Sequence, residues 1–217
     1  MPAVVRRTTP RPTVGRVRIA ALIPVKRFDA AKGRLSGAVD PAGRARLARW
    51  MATRVVEACV ELDVFIACDS TEVAHWAAEL DTAVIWGPGL GLNGAIDDGV
   101  AALADAGYDH VTIAHADLPH PATLPDVARA GTATLVPDRR RDGTNVLSFP
   151  LTATVGAAYG ARSFGRHLGA ALDLGIAVEV RPDPNLSLDI DTPDDLIHPR
   201  IKEALPSWLR TNLVNPR

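Results

Sequence analysis

Short runs of consecutive apolar residues alternate along the chain with longer stretches whose apolar positions recur every three or four residues. The short runs predict buried strands at Arg18 to Val25 (RIAALIPV), Val64 to Cys68 (VFIAC), Ala83 to Trp86, His110 to Ala114 and Ala133 to Val136. Ala42 to Val60 has helical spacing and follows Asp40-Pro41, a turn suited to capping a helix start. Glu72 to Leu80, Asn93 to Ala106 and Ala122 to Ala130 read as further helices between strands. Such alternation means βαβ units, hence a mainly parallel sheet with helices on both faces. After Pro137 the rhythm changes. Asn145 to Phe149 reads as a strand, Ser163 to Leu174 as a helix and Ala177 to Arg181 as a short strand. This part is expected to extend the same domain in a partly antiparallel way. A single outer helix is expected from His198 to Leu213. No repeat and no linker argues for a second domain. The expected organisation is a disordered basic tail at residues 1–16, an α/β domain at 17–197 and a C-terminal helical extension at 198–217.

Composition narrows the class. The 217 residues suffice for one well-buried domain. Hydrophobic residues at 47% and charged residues at 23% exclude a disordered chain, a collagen and a coiled coil. No apolar run reaches the roughly 18 residues that read as a membrane helix. The net charge of -1, from 24 basic and 25 acidic residues, argues against a general nucleic-acid or membrane-surface binder. It leaves room for a local basic pocket. Cys59 and Cys68 are too few for a disulfide scaffold and read as buried thiols. The start MPAVVRRTTPRPTVGR lacks the apolar stretch of a secretory signal, so a cytoplasmic protein is expected.

Parallel α/β sheets bind ligands at the carboxyl ends of their strands. Four places there carry chemistry. After the first strand, Lys26, Lys32 and Arg34 lie close together. Lysine offers a point charge to phosphate and arginine a two-pronged one, although such loops are also often merely solvated. The stretch Gly87 to Asn93 (GPGLGLN) follows a strand and opens a helix, which suits close approach of a ligand or simply a turn. Asn93 is either a helix cap or a base-reading group. Its position after the third strand, not the first, excludes a dinucleotide fingerprint. Asp117, in His115-Ala116-Asp117-Leu118-Pro119, ends a strand before a proline turn. It suits either a magnesium ligand or a turn residue.

The fourth place is Leu188 to Leu196 (LDIDTPDDL). In an extended segment Asp189 and Asp191 point the same way and repel unless a cation lies near them. Asp194 and Asp195 are left as helix-start acids. With Asp117 the pair supplies three carboxylates from two strand ends, enough for one or two Mg²⁺. Tyr159 to His167 and Arg141 to Asn145 are candidate anion-holding loops. His110, His115 and His120 alternate faces and make no metal cluster; Trp50, Trp76 and Trp86 read as core. No convincing general base appears. None is needed if the acceptor is itself a phosphate, already ionised near pH 7 because its second pKa is about 6. Together these features suit nucleotidyl transfer.

Six segments, PVKRFDAAKGRL, GLN, ADLP, VPDRRRDGTNVL, YGARSFGRH and LDIDTPDDL, occur in order between about residues 18 and 197. In this order they resemble the guanylyltransferases of deazaflavin coenzyme F(420) biosynthesis. The resemblance implies a single-domain Rossmann-like nucleotidyltransferase of the nucleotide-diphospho-sugar transferase type, related to the molybdopterin nucleotidyltransferases. It implies transfer of GMP from GTP to phosphoenolpyruvate, giving enolpyruvyl-diphospho-guanosine and pyrophosphate. 2-Phospho-L-lactate and 3-phosphoglycerate are the alternative acceptors, and a molybdopterin or sugar nucleotidyltransferase is the alternative enzyme. By the same resemblance Asp117, Asp189 and Asp191 hold Mg²⁺, and Thr144, Gly160 and Ser163 form the phospho-acid pocket. Lys26, Lys32 and Arg34 lie on the triphosphate, with Lys26, Lys32 and Asp117 the catalytic set. Gly91 and Asn93 lie near the guanine. The implied partners are GTP and a small phospho-acid, with no nucleic acid and no membrane; a homodimer is left open.

Overall fold

Successive residues of a strand face opposite sides of a sheet, so a strand apolar throughout must be covered twice. The first strand is of this kind. The computed structural model describes residues 17–214, with side chains to residue 210; the tail expected at residues 1–16 lies outside them. β1 (Ile19–Pro24) is followed by α1 (Pro41–Ala58), β2 (Asp63–Cys68), α2 (Thr71–Glu79), β3 (Ala83–Trp86), α3 (Gly91–Asp105) and β4 (His110–Ala114). Then come β5 (Thr132–Pro137), β6 (Thr144–Pro150), α4 (Ser163–Asp173), β7 (Ala177–Val180), α5 (Pro193–Leu196), α6 (Pro199–Ala204) and α7 (Ser207–Val214).

The strands form one mixed sheet in the order β3-β2-β1-β4-β6-β5-β7. β1 pairs in parallel with β2 and β4, β2 with β3, and β5 with β7; β6 runs antiparallel to both neighbours. Ala21 and Ile23 of β1 pack with Ala52 and Val55 of α1 and Val73 and Trp76 of α2 on one face. Ala20 and Leu22 pack with Ile96 and Val100 of α3 and Phe164 of α4 on the other. Cys59 and Cys68 are free, buried thiols. Asp40 caps α1 as its sequence suggests, accepting from the Gly43 amide at 2.6 Å. No helix among the described residues is long and apolar enough to cross a membrane.

Two expected elements differ. In place of a helix over Ala122 to Ala130 there is a single 3-10 turn at Leu124–Asp126. Pro125 lacks the amide a continuing helix needs, and Leu124 and Val127 bury instead as anchors of an irregular strap. The expected outer helix from His198 is two helices, because Pro206 interrupts it between α6 and α7. These helices close a further apolar cluster: Leu196, Ile201, Leu205 and Leu209 pack on Leu35, Leu47, Met51, Leu188 and Ile190.

The segment before α5 is fixed by Asp195, only 2% exposed. Its Oδ2 accepts from the Asp191 amide (2.9 Å), the Thr192 amide (2.7 Å) and the Thr192 hydroxyl (2.9 Å), and its Oδ1 pairs with Arg139. Burial works against the charge. The two amides, the hydroxyl and Arg139 outweigh it and hold the carboxyl below the usual carboxylate range. Asp195→Ala strips these donors of their acceptor. It should cost about 2–3 kcal/mol. Thermal denaturation should then show Tm lowered by about 5–10 °C. An unchanged Tm would refute the anchoring role.

Candidate active site

From β1 the chain moves to β2 and β3 on one side, then returns to β4 on the other. The connections diverge at the carboxyl ends of β1 and β4 and open a crevice there. A cavity of about 400 Å³ occupies it, lined among others by Lys26, Phe28, Lys32, Arg34, His115, Asp117 and Asp191. The loop after β1, the loop after β4 and the segment leading into α5 thus meet at one place.

Lys32 joins them. Its backbone is left-handed, with φ 57°, a conformation that costs a non-glycine residue about 1–3 kcal/mol. Its ammonium, on a side chain 9% exposed, donates to Asp117 Oδ2 at 2.7 Å and Asp191 Oδ1 at 2.9 Å. Burial opposes the charge, and the two carboxylates more than offset it, so the lysine titrates above its ordinary range. In return Lys32, helped by His115, outweighs the burial of Asp117 and keeps it ionised below its ordinary range. Arg34 stands at the edge, 4.0 Å from Asp191 Oδ2. Lys26, Lys32 and Arg34 all line the cavity, and Lys32 also donates to the acids.

Asp189 is half-buried behind this pair. Burial, then the charges of Asp117, Asp191 and Asp195, push its carboxyl up to about 7. Among the described residues no group of three or more His, Cys, Asp or Glu side chains is arranged to hold a metal. The ammonium of Lys32 takes the place between Asp117 and Asp191. The donor set nevertheless fits a hard divalent cation. All three groups are carboxylates, Asp117 Oδ1 is buried with no hydrogen-bond partner, and Asp189 is crowded by like charge.

The residues expected to bind the phospho-acid lie on β6 and α4. Ser163 Oγ accepts from the Thr144 amide at 3.1 Å. Asp142 ties the two elements together: its carbonyl accepts from the Phe164 amide at 3.0 Å and its carboxylate from the Arg162 amide at 3.2 Å. Gly160, at φ 119°, makes the bend that turns the chain into α4, a conformation closed to L side chains. Gly91 opens α3 at φ 65°. The helix-cap alternative for Asn93 does not hold. The cap position is Leu90, and the Asn93 amide group bonds to Tyr159, accepting from its N–H at 2.8 Å and donating to its carbonyl at 3.3 Å.

Sequence reasoning passed over two residues. His167 is fully buried and bonds to Thr144 (2.9 Å). Its signal was its place one helical turn after Ser163, on the same face of α4. Tyr159 packs its ring against His115 and His167, at centroid distances of 5.0 and 4.6 Å. No spacing rule foretells that contact.

The chain is similar to known proteins. The family model described as "Guanylyl transferase CofC like" matches residues 19–202. A phosphoenolpyruvate guanylyltransferase of Rubrobacter xylanophilus is 35% identical over 187 residues, 82% of this chain and 91% of its own. A 2-phospho-L-lactate guanylyltransferase of Methanothermobacter thermautotrophicus is 31% identical, covering 83% of each chain. Among solved structures, a nucleotidyl transferase from Methanothermobacter superposes with a TM-score of 0.60 at 18% identity, covering 90% of this chain and 99% of its own. The last likeness concerns the fold alone.

The crowding of Asp189 has a measurable sign. Its pKa lies above the ordinary carboxylate value, so its ionisation opposes folding, increasingly as pH rises through about 4 to 7. In chelator, Asp189→Asn should therefore raise Tm at about pH 8 and leave it unchanged at about pH 4. Equal effects at the two pH values would show that the acids do not crowd one another.

Proposed function

Because the chain belongs to the CofC-like guanylyl transferase family, we propose that it transfers GMP from GTP to phosphoenolpyruvate in coenzyme F(420) biosynthesis, releasing pyrophosphate. The observation that carries the reading is the meeting of Asp117 and Asp191 around one cationic group at the mouth of a cavity that Lys26 and Arg34 also line. The relatives named for phosphoenolpyruvate support the acceptor. 2-Phospho-L-lactate, the acceptor in the name of the archaeal relative, is the second reading.

In this reading an acceptor phosphate oxygen attacks the α-phosphorus of GTP. The new P–O bond forms as the bond to the bridging oxygen breaks, and pyrophosphate leaves with the electron pair. The acceptor is already ionised near pH 7, its second pKa being about 6, so no side chain need remove a proton. Lys26, Lys32 and Arg34 neutralise the triphosphate and the charge growing on the leaving pyrophosphate. Asp117, Asp189 and Asp191 would hold Mg²⁺, which supplies further neutralisation of phosphate oxygens when bound. Gly91 and Asn93 lie near the guanine, Gly91 letting the base approach the backbone and Asn93 also holding the Tyr159 segment. Thr144, Gly160 and Ser163 receive the phospho-acid. The enzyme works in the cytoplasm.

The test is pyrophosphate release from GTP and Mg²⁺ with phosphoenolpyruvate, 2-phospho-L-lactate or 3-phosphoglycerate. Release should depend on the acid and be fastest with phosphoenolpyruvate. Asp117→Asn should lower kcat at least about 100-fold, the loss of roughly 2.7 kcal/mol of transition-state stabilisation. Release without any acid, or a fully active Asp117→Asn, would refute the reading.

A further inference from the structure

His167 is fully buried, and both its ring nitrogens are engaged. The Ala158 backbone N–H points at Nε2 at 2.9 Å. A backbone amide can only donate, so Nε2 accepts and the neutral ring carries its proton on Nδ1. That Nδ1–H faces Thr144 Oγ1 at 2.9 Å and donates to it. Burial, Arg166 and His115 push the His167 pKa down to about 4, so the ring stays neutral at ordinary pH. Ser163 Oγ, beside it, already accepts from the Thr144 amide at 3.1 Å. Both hydroxyls thus have an acceptor lone pair filled from within, yet among the described residues neither hydroxyl proton has an acceptor. Thr144 is 1% and Ser163 2% exposed. A buried donor left unpaired costs about 1–3 kcal/mol.

We infer that His167 is a positioning residue: its Nδ1–H occupies one lone pair of the Thr144 hydroxyl and leaves the hydroxyl proton to be donated, so that Thr144 and Ser163 together offer two unmatched donors to an ionised phosphate or carboxylate. The inference rests on the proposed function for the identity of that group as the phospho-acid. Asn93 belongs to the same device, because it holds the backbone of Tyr159, next to the Ala158 amide that sets the tautomer.

Two substitutions separate the two bonds. His167→Asn keeps an amide N–H near the place of Nδ1, and His167→Gln keeps an acceptor near the place of Nε2. KM for phosphoenolpyruvate should rise about threefold in His167→Asn and at least about tenfold in His167→Gln, with KM for GTP unchanged in both. Equal rises, the reverse order, or a parallel rise for GTP would mean that His167 only holds the loop, and would overturn the inference. Nitrogen-15 NMR of the free enzyme should find Nδ1 protonated and Nε2 bare; a proton on Nε2 overturns it whatever the turnover. If the wild type releases no pyrophosphate with any phospho-acid, the proposed function fails. The inference then stands or falls on the NMR result together with the affinity for inorganic phosphate. That affinity should be lower in His167→Gln than in His167→Asn.

Discussion

A buried ammonium shared by two carboxylates organises this molecule. Lys32 loses most of its water, and a lone charge so placed would be driven to its neutral form. Asp117 and Asp191 prevent that, and the lysine in turn keeps Asp117 charged. Three segments distant in sequence are therefore joined at one point: the loop after β1, the end of β4 and the lead into α5. The left-handed backbone at Lys32 is strain that the same pairing sustains. A divalent cation among these acids would answer the same electrostatic need, which is how the arrangement holds together with an ammonium there.

The sheet explains why these segments meet. With β1 between β2 and β4, the loops after β1 and β4 flank one crevice. The antiparallel β6 beside β4 brings Thr144 to the same edge, and the bonds from Asp142 fasten it to the start of α4. The nucleotide side of the proposed site thus grows from the parallel half and the acceptor side from the mixed half. Their separate origins suit a fold in which one substrate class is kept while the other varies.

Much of the fold was legible because its strands are short, apolar and sharply bounded. β3 and β4 have the limits their sequences imply, and β1 and β6 differ by a residue at each end. The failures have a common cause. Pro125 and Pro206 lie inside stretches of helical apolar spacing and interrupt the helix that the spacing implies. At the site, Asp117, Asp189 and Asp191 stood out as acids at strand ends. The attachment of Lys32 to them did not, since the partners lie 85 and 159 positions away. Asp195 looked like an ordinary helix-start acid, yet it anchors the Asp191 backbone. His167 acts through a backbone amide and a hydroxyl, partners that leave no mark in residue spacing.

The apolar cluster under the C-terminal helices reaches the site from below. Leu35 follows the lysine loop, and Leu188 and Ile190 flank Asp189; all three rest on Ile201, Leu205 and Leu209 instead of the central sheet. The terminal helices therefore share their packing with the segments that carry the lysine and the paired acids, and Leu47 and Met51 of α1 join that packing to the main layer.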